Sequence, residues 1–189
     1  MTVLTWILLI ILALIIGRDI IFAVIGKEEV SLQKDEPTNA RLVARTEDSV
    51  TIAAPFRIVN DGKQSALIID VIVRPQLAFE QYDGVTARGK AEMEGRPRED
   101  DYFEAAVLFA KGDPGGSNVM NIDALITLTA RKGQNIDKAL TLMPDLPIDL
   151  VYMFVGRVPC HYEKSRIILT AEEIASLVGV KLADEASTL

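Results

Sequence analysis

The chain has a single cysteine, a single histidine and a single tryptophan among its 189 residues. With only Cys160 present there is no internal disulfide, so packing alone must hold the fold. One histidine, His161, beside one cysteine cannot assemble the donor set of a usual zinc site. Basic residues are also scarce: 20 Lys and Arg stand against 27 Asp and Glu, a net charge of −7. That balance excludes nucleic acid as an expected partner and argues against adhesion to anionic headgroups, since both need a basic surface. No Asn-x-Ser/Thr acceptor occurs, so nothing points to a glycosylating secretory route. Length, acidity and cysteine count together fit a bacterial membrane protein.

What the sequence does have is one long apolar run at its start, Thr2 to Gly17, followed by Arg18 and Asp19 and then by apolar residues to Ile25. A helix stopping at Gly17 rises about 24 Å, short of the roughly 30 Å hydrocarbon core. Continued to Ile25, it spans with some tilt. A cleaved signal peptide would start with Lys or Arg and end with small residues, and neither is present. The expectation is an uncleaved, single-pass transmembrane helix over residues 2–25.

Trp6 suits an interfacial belt, and Arg18 can snorkel to the headgroups along its long stem. Asp19 is shorter and needs a partner. Adjacent helical positions diverge by about 100°, so Arg18 and Asp19 are not expected to pair with each other. Asp19 therefore either sits at the interface of a thinned bilayer or faces another membrane protein subunit. Arg18, Lys27 and Lys34 follow the run and no basic residue precedes it, which places the large domain on the cytoplasmic side of the cell (inner) membrane, with the extracytoplasmic side as the alternative.

Residues 26–40 are polar, include Pro37 and read as a linker; a folded domain is expected over 41–182 and a mobile tail over 183–189. Within the domain apolar residues recur with period two. Val50, Ile52, Ala54, Phe56 and Ile58 share one face, with Pro55 marking an edge strand or a bulge. "NDGK" reads as a hairpin turn in which Gly62 takes a positive φ. The next strand places Leu67, Ile69, Val71 and Val73 on one face. Phe103, Ala105, Val107 and Phe109 form another alternating set, and "KGDPGGSN" closes it with Pro114 and Gly115 at the centre of a type II turn. Met120, Ile122, Ala124, Ile126 and Leu128 face inward on the clearest strand of all. Ile136 to Leu142 is ambiguous between helix and strand. Ile148 to Val155, apolar on both faces, reads as central, and Ser165 to Leu169 as the last strand. Thr170 and Glu173 match a capping box that opens a short C-terminal helix ending at Gly179.

The segment "FRIVNDGKQSALIIDVIVRP", Phe56 to Pro75, resembles the paired strands of immunoglobulin-like and late-embryogenesis-abundant type 2 sandwich domains. The resemblance implies a non-catalytic module and transfers no functional residue; the Cys, Trp, Cys core of immunoglobulin domains is missing. The expected fold is all-β, an antiparallel immunoglobulin-like β-sandwich with one N-terminal transmembrane helix and a short C-terminal helix.

No motif for chemistry emerges. "GDPGGSNV" lacks the Lys-Ser/Thr of a phosphate loop and precedes a strand. Ser117 has no Gly-x-Ser-x-Gly setting. Cys160 and His161 point to opposite faces of a strand and form no nucleophile-base pair. Asp70, Asp123 and Asp149 occur singly, with Asp70 singled out by its strongly apolar neighbours. Neither enzyme activity nor a cofactor is expected.

The stretch from Thr86 to Glu104 alternates in charge and reads as a solvated loop. Its functional alternative is a docking loop in which Arg88, Arg96 and Arg98 meet carboxylates on a partner and Tyr102 and Phe103 are aromatic anchors. The function expected is that of an accessory or scaffolding subunit of a larger membrane complex. The alternative is a tethered binding module for a lipid, a small apolar ligand or a peptide.

Overall fold

The computed structural model describes residues 3–33, 39–78, 80, 82–98, 102–157 and 159–183. Pro37 of the expected linker and the expected tail after Ala183 lie outside the described residues. Helix α1 covers Val3–Ile25, 23 residues, and is long and apolar enough to cross a membrane, with none of it buried against the rest of the chain. At 1.5 Å per residue it extends about 34 Å. It continues through Arg18 and Asp19, as the length arithmetic requires.

The expectation that these two residues do not pair is overturned. Arg18 donates from Nε and Nη2 to Asp19 Oδ1 at 2.9 and 2.8 Å. Their Cβ directions diverge, but the arginine stem is long enough to bend the guanidinium back around the helix. The result is a locally neutral pair, which lowers the cost of placing either charge in a bilayer.

The remaining strands form two antiparallel sheets, with helices flanking them. The first contains β1 (Val30–Gln33), β2 (Arg41–Arg45), β3 (Ser49–Asn60), β5 (Val85–Met93) and β7 (Val119–Ala130), in the order β1-β3-β7-β5 with β2 also on β3. The second contains β4 (Ala66–Pro75), β6 (Ala106–Leu108), β8 (Leu146–Val155) and β9 (His161–Leu169), in the order β6-β4-β8-β9. A five-residue helix α2 (Ile136–Leu140) precedes β8, settling the ambiguous stretch, and α3 (Ala171–Val178) follows β9. Both halves of the capping box are made: Glu173 N donates to Thr170 Oγ1, and Thr170 N donates to Glu173 Oε2. Gly179 ends α3 with a left-handed φ of 78°.

Alternation puts Val50, Ile52, Ala54, Phe56 and Ile58 of β3 and Met120 to Leu128 of β7 on one inner face. Ile68, Val71 and Val73 of β4 and Leu146, Ile148, Leu150, Tyr152 and Phe154 of β8 meet them in the same core. Each fully buried Ile or Leu contributes about 1.5–3 kcal/mol by leaving water, so truncating Ile126 or Leu150 to alanine costs about 2–5 kcal/mol.

Four local expectations are corrected. "NDGK" is not a hairpin turn, because β3 and β4 belong to different sheets; the turn is a crossover between layers. Gly62 has no positive φ, and neither does Gly115, so the type II turn at Pro114 is not formed either; Gly112 carries the positive φ in that loop, at 80°. In β4 a register shift between Ile68 and Asp70 moves the buried face to Ile68, Val71 and Val73. In β6 it is Leu108 that is buried and Val107 that is exposed.

Part of the expected linker is also structured: β1 pairs with the end of β3, Val30 opposite Asn60 and Gln33 opposite Arg57. β2 pairs with the start of β3, from Arg41 opposite Ala53 to Arg45 opposite Val50. Pro55 lies between the two, where a missing N–H costs no ladder bond on that edge.

The registers give the domain two ends. The β3–β4 crossover, the start of β7, the end of β8 and the start of β9 lie together beside the end of α1. The start of β3, the end of β7, α2 and α3 lie at the far end. β3 is 12 residues long, which separates the ends by about 40 Å.

Candidate interaction surfaces and the helix junction

The junction between α1 and the sheets is a short, fully held segment. Gly26 leaves the helix with φ 78°, and a Cβ added there would meet Lys63 side-chain carbons at 2.9 Å. Gln64 Nε2 donates to Ile25 O at 3.2 Å, and Lys63 N donates to Lys27 O at 3.0 Å. Glu28 is buried, and its carboxylate accepts from Arg157 N at 3.1 Å in the turn after β8. A Cβ at Gly156 would stand 2.4 Å from the Glu28 carboxyl carbon, so a side chain there displaces this carboxylate. Glu29 donates its amide to Asn60 Oδ1 at 3.1 Å and accepts from Asp61 N at 3.0 Å.

Asn60 is wholly buried at the centre of this network. Its Oδ1 also accepts from Gly62 N at 3.0 Å, and its Nδ2 donates to the carbonyls of Gln64, Leu108 and Phe109. Gly62 is required by close approach: an added Cβ would sit 2.4 Å from both Lys27 O and Glu29 N. Sequence reasoning assigned the glycine to the turn but missed the segment that it touches.

The outward face of the second sheet is apolar toward the same end. Register aligns Val107, Leu67 and Val155 across β6, β4 and β8, and places Met153 beside Tyr162 of β9. Val107, Leu67 and Tyr162 are exposed, at 51%, 37% and 64%. Further along, the face becomes charged. Asp149 is buried beneath Arg166 and Lys164, which bond its carboxylate at 2.7 and 2.9 Å. The hydrogen bonds from Arg166 and then Lys164 hold this carboxyl down at about 2. Tyr152, inside the sandwich, donates to Glu163 Oε2 at 2.7 Å, and burial followed by that contact raises its pKa.

The residues expected in a docking loop are divided by the fold. Arg88 lies on β5, exposed, opposite Thr127, so much of the stretch read as a solvated loop is strand. Arg96 is exposed beyond the end of β5, where its amide donates to Met93 O at 3.0 Å. Arg98 bonds inward, donating from Nη1 to Ala91 O at 3.0 Å, with its guanidinium 5.9 Å from the Phe103 ring centroid. Phe103 belongs to the domain's own core, whereas Tyr102 is 81% exposed. A hollow of about 490 Å³ lies between Arg96, Arg98, Tyr102 and Phe103.

A second cleft of about 510 Å³ opens beside Pro55, lined by Phe56 and Ile122 together with Arg41, Asp123 and Arg166. Its charges are compensated: Arg41 holds Asp123 through two bonds, at 3.1 and 2.6 Å. Among the described residues no group of three or more His, Cys, Asp and Glu is placed to hold a metal. Cys160 is exposed in the turn before β9, while the rings of His161 and Phe154 stand edge-to-face with their centroids 4.1 Å apart. Ser117 Oγ bonds Val119 locally, and Asp70 is half-buried on β4.

No family model and no curated protein matches the chain. Among solved structures it is weakly and partially similar to the yeast GGA1 GAE domain, with 10% identity and a TM-score of 0.30, over 69% of this chain and 98% of that one. The GAE domain of GGA2p from Saccharomyces cerevisiae gives 10% identity and a TM-score of 0.31, over 76% of this chain and 99% of that one. Similarity at this level carries no functional weight.

Proposed function

We propose that the chain is a single-pass membrane protein whose domain is an immunoglobulin-like sandwich, acting without catalysis as an accessory or scaffolding subunit of a larger membrane complex. The observation that carries this is the apolar row Val107, Leu67, Val155 on the outer face of the second sheet, with Val107 and Leu67 exposed and Val155 half-buried, at the end adjoining α1. A row at that height favours a protein partner embedded in the same membrane over a soluble one. Trp6, Arg18 and Asp19 belong to the anchor, and Arg88, Arg96 and the exposed Tyr102 supply the polar and aromatic contacts. Phe103 and Arg98 support them from within the domain.

The strand orders support the immunoglobulin-like assignment. β1, β3, β7 and β5 stand as A, B, E and D do in a constant-type domain, and β4, β8 and β9 as C, F and G, with β6 added beside C. The anchor occupies 2–25, and β1 joins the domain to it more closely than a linker over 26–40 implies. The domain is assigned to the cytoplasmic side on its flanking basic residues.

Binding of a peptide or small apolar ligand is the rival function, and the cleft beside Pro55 is its place. The ion pairs lining that cleft suit a polar peptide better than a lipid.

Gentle detergent purification from the native membrane tests the proposal. The protein is expected to migrate with a second membrane protein; migration alone, as a monomer, defeats it. Because Cys160 is exposed, its labelling in intact cells by a membrane-impermeant maleimide reports the side: no labelling before lysis is expected.

A further inference from the structure

We infer that the domain does not swing on a tether but rides on the bilayer in one fixed pose, with its anchor-side turns resting on zwitterionic phospholipid headgroups. This rests on α1 spanning the membrane. Lys27, Glu28 and Glu29 are bonded to the body of the domain, through the β3–β4 crossover on one side and the turn after β8 on the other, and Gly26 lies between two bonded carbonyls, Ile25 O and Lys27 O. With two carbonyls, one amide and a buried carboxylate of this segment bonded to two separate turns, a pivot of the domain about the segment has to break several of these bonds. The loop between β6 and β7 joins the same end, because Lys111 N donates to Gly62 O at 3.1 Å.

These turns stand level with the last turn of α1, since Gln64 bonds the carbonyl of Ile25, its final residue. Headgroups begin where the hydrocarbon-spanning part of a helix ends, so Lys63, Lys111 and Arg157 are brought to the height of the phosphates. The charges at this end balance. Lys27, Lys63, Lys111 and Arg157 are matched by Glu28, Glu29, Asp61 and Asp113, with Lys111 bonded to Asp61 at 2.8 Å. This end therefore carries both signs and no net charge, with Glu28 contributing from beneath the surface, which matches headgroups that carry both signs and needs no anionic lipid. The far end is meanwhile separated from these turns by the length of β3, about 40 Å.

The test uses the full chain reconstituted in phosphatidylcholine vesicles, with a fluorophore on Cys160 and a headgroup-attached nitroxide lipid as quencher. Strong quenching is expected at Cys160, and none for a fluorophore placed at the far end in the Cys160→Ser/Glu47→Cys variant. The difference should persist in high salt and when anionic lipid is added. Asn60→Ala, which loosens the junction, is expected to narrow the difference. Equal quenching at the two sites, in protein that resists carbonate extraction, overturns the fixed pose alone. Quenching at Cys160 that requires anionic lipid overturns the headgroup assignment. Release of the protein by carbonate overturns the anchor and the pose together.

Discussion

The side-chain oxygen of Asn60 accepts the backbone amide hydrogen of Glu29 at 3.1 Å, joining the end of β3 to the segment that leaves α1. The geometry fixes which way the amide faces. Two N–H groups, from Glu29 and Gly62, converge on one atom, and three carbonyls, from Gln64, Leu108 and Phe109, converge on the other. Only oxygen suits the first set and only nitrogen the second. One buried side chain thus connects the segment after α1, the crossover between sheets and the end of β6.

Replacing it should be costly. Asn60→Ala leaves the Glu29 and Gly62 amides without their acceptor and three carbonyls without a shared donor, and is expected to destabilise the protein by about 2–4 kcal/mol. Asn60→Asp keeps the acceptor but turns a carboxylate toward carbonyls, so it should not rescue. Denaturant titration of the full chain in detergent, followed by circular dichroism, measures both. An alanine variant within about 0.5 kcal/mol of the parent would contradict the assignment.

Gly62 and Gly95 separate two reasons for a glycine. Gly95 has φ 75° with open space around it, so Gly95→Ala should cost on the order of 1 kcal/mol through backbone strain alone. Gly62 has no positive φ, but its Cβ would stand 2.4 Å from two backbone atoms of the junction, which cannot swing aside as a side chain does. Gly62→Ala should therefore cost clearly more than Gly95→Ala. The same titration ranks the two, and the reverse order would remove close approach as the reason for Gly62.

The contrast also shows what was legible in the sequence. Elements set by contiguous patterns were readable: α1 to Ile25 by length, the inner face of β7 by strict alternation, and α3 by Thr170 and Glu173. Features set by distant partners were not. An Asp-Gly pair turns the chain equally well within a sheet or between two, so the crossover after β3 looked like a hairpin. One extra residue at Ile69 reverses the face of β4 without disturbing its composition. Of the candidate surface, Tyr102 and Arg96 could be found as exposed residues of a charged stretch, but Phe103 carries no local mark of being core.

Tyr102 and Phe103 should respond in opposite ways. Phe103→Ala empties a buried aromatic site and is expected to cost about 3–5 kcal/mol. Tyr102→Ala should change stability by less than about 0.5 kcal/mol while lowering the yield of any copurifying membrane protein. Quantitative mass spectrometry of the purified complex reads the second effect. An unchanged partner yield would remove Tyr102 from the docking surface.

Asp149 makes the acid side of the stability profile testable. Arg166 and Lys164 hold its carboxyl near about 2 in the folded chain, whereas an unfolded aspartate titrates near about 3.9. Because the folded value is the lower one, the contribution is fully present above about pH 4 and is lost as the pH falls toward about 2. Asp149→Asn removes the charge at every pH. The stability difference between parent and variant should therefore be constant from neutral pH down to about 5, then shrink steadily between about 4 and 2. Denaturation midpoints across that range measure it. A difference that stayed level through the acid limb would mean that the two cations on β9 do not hold this carboxylate in its ionised form.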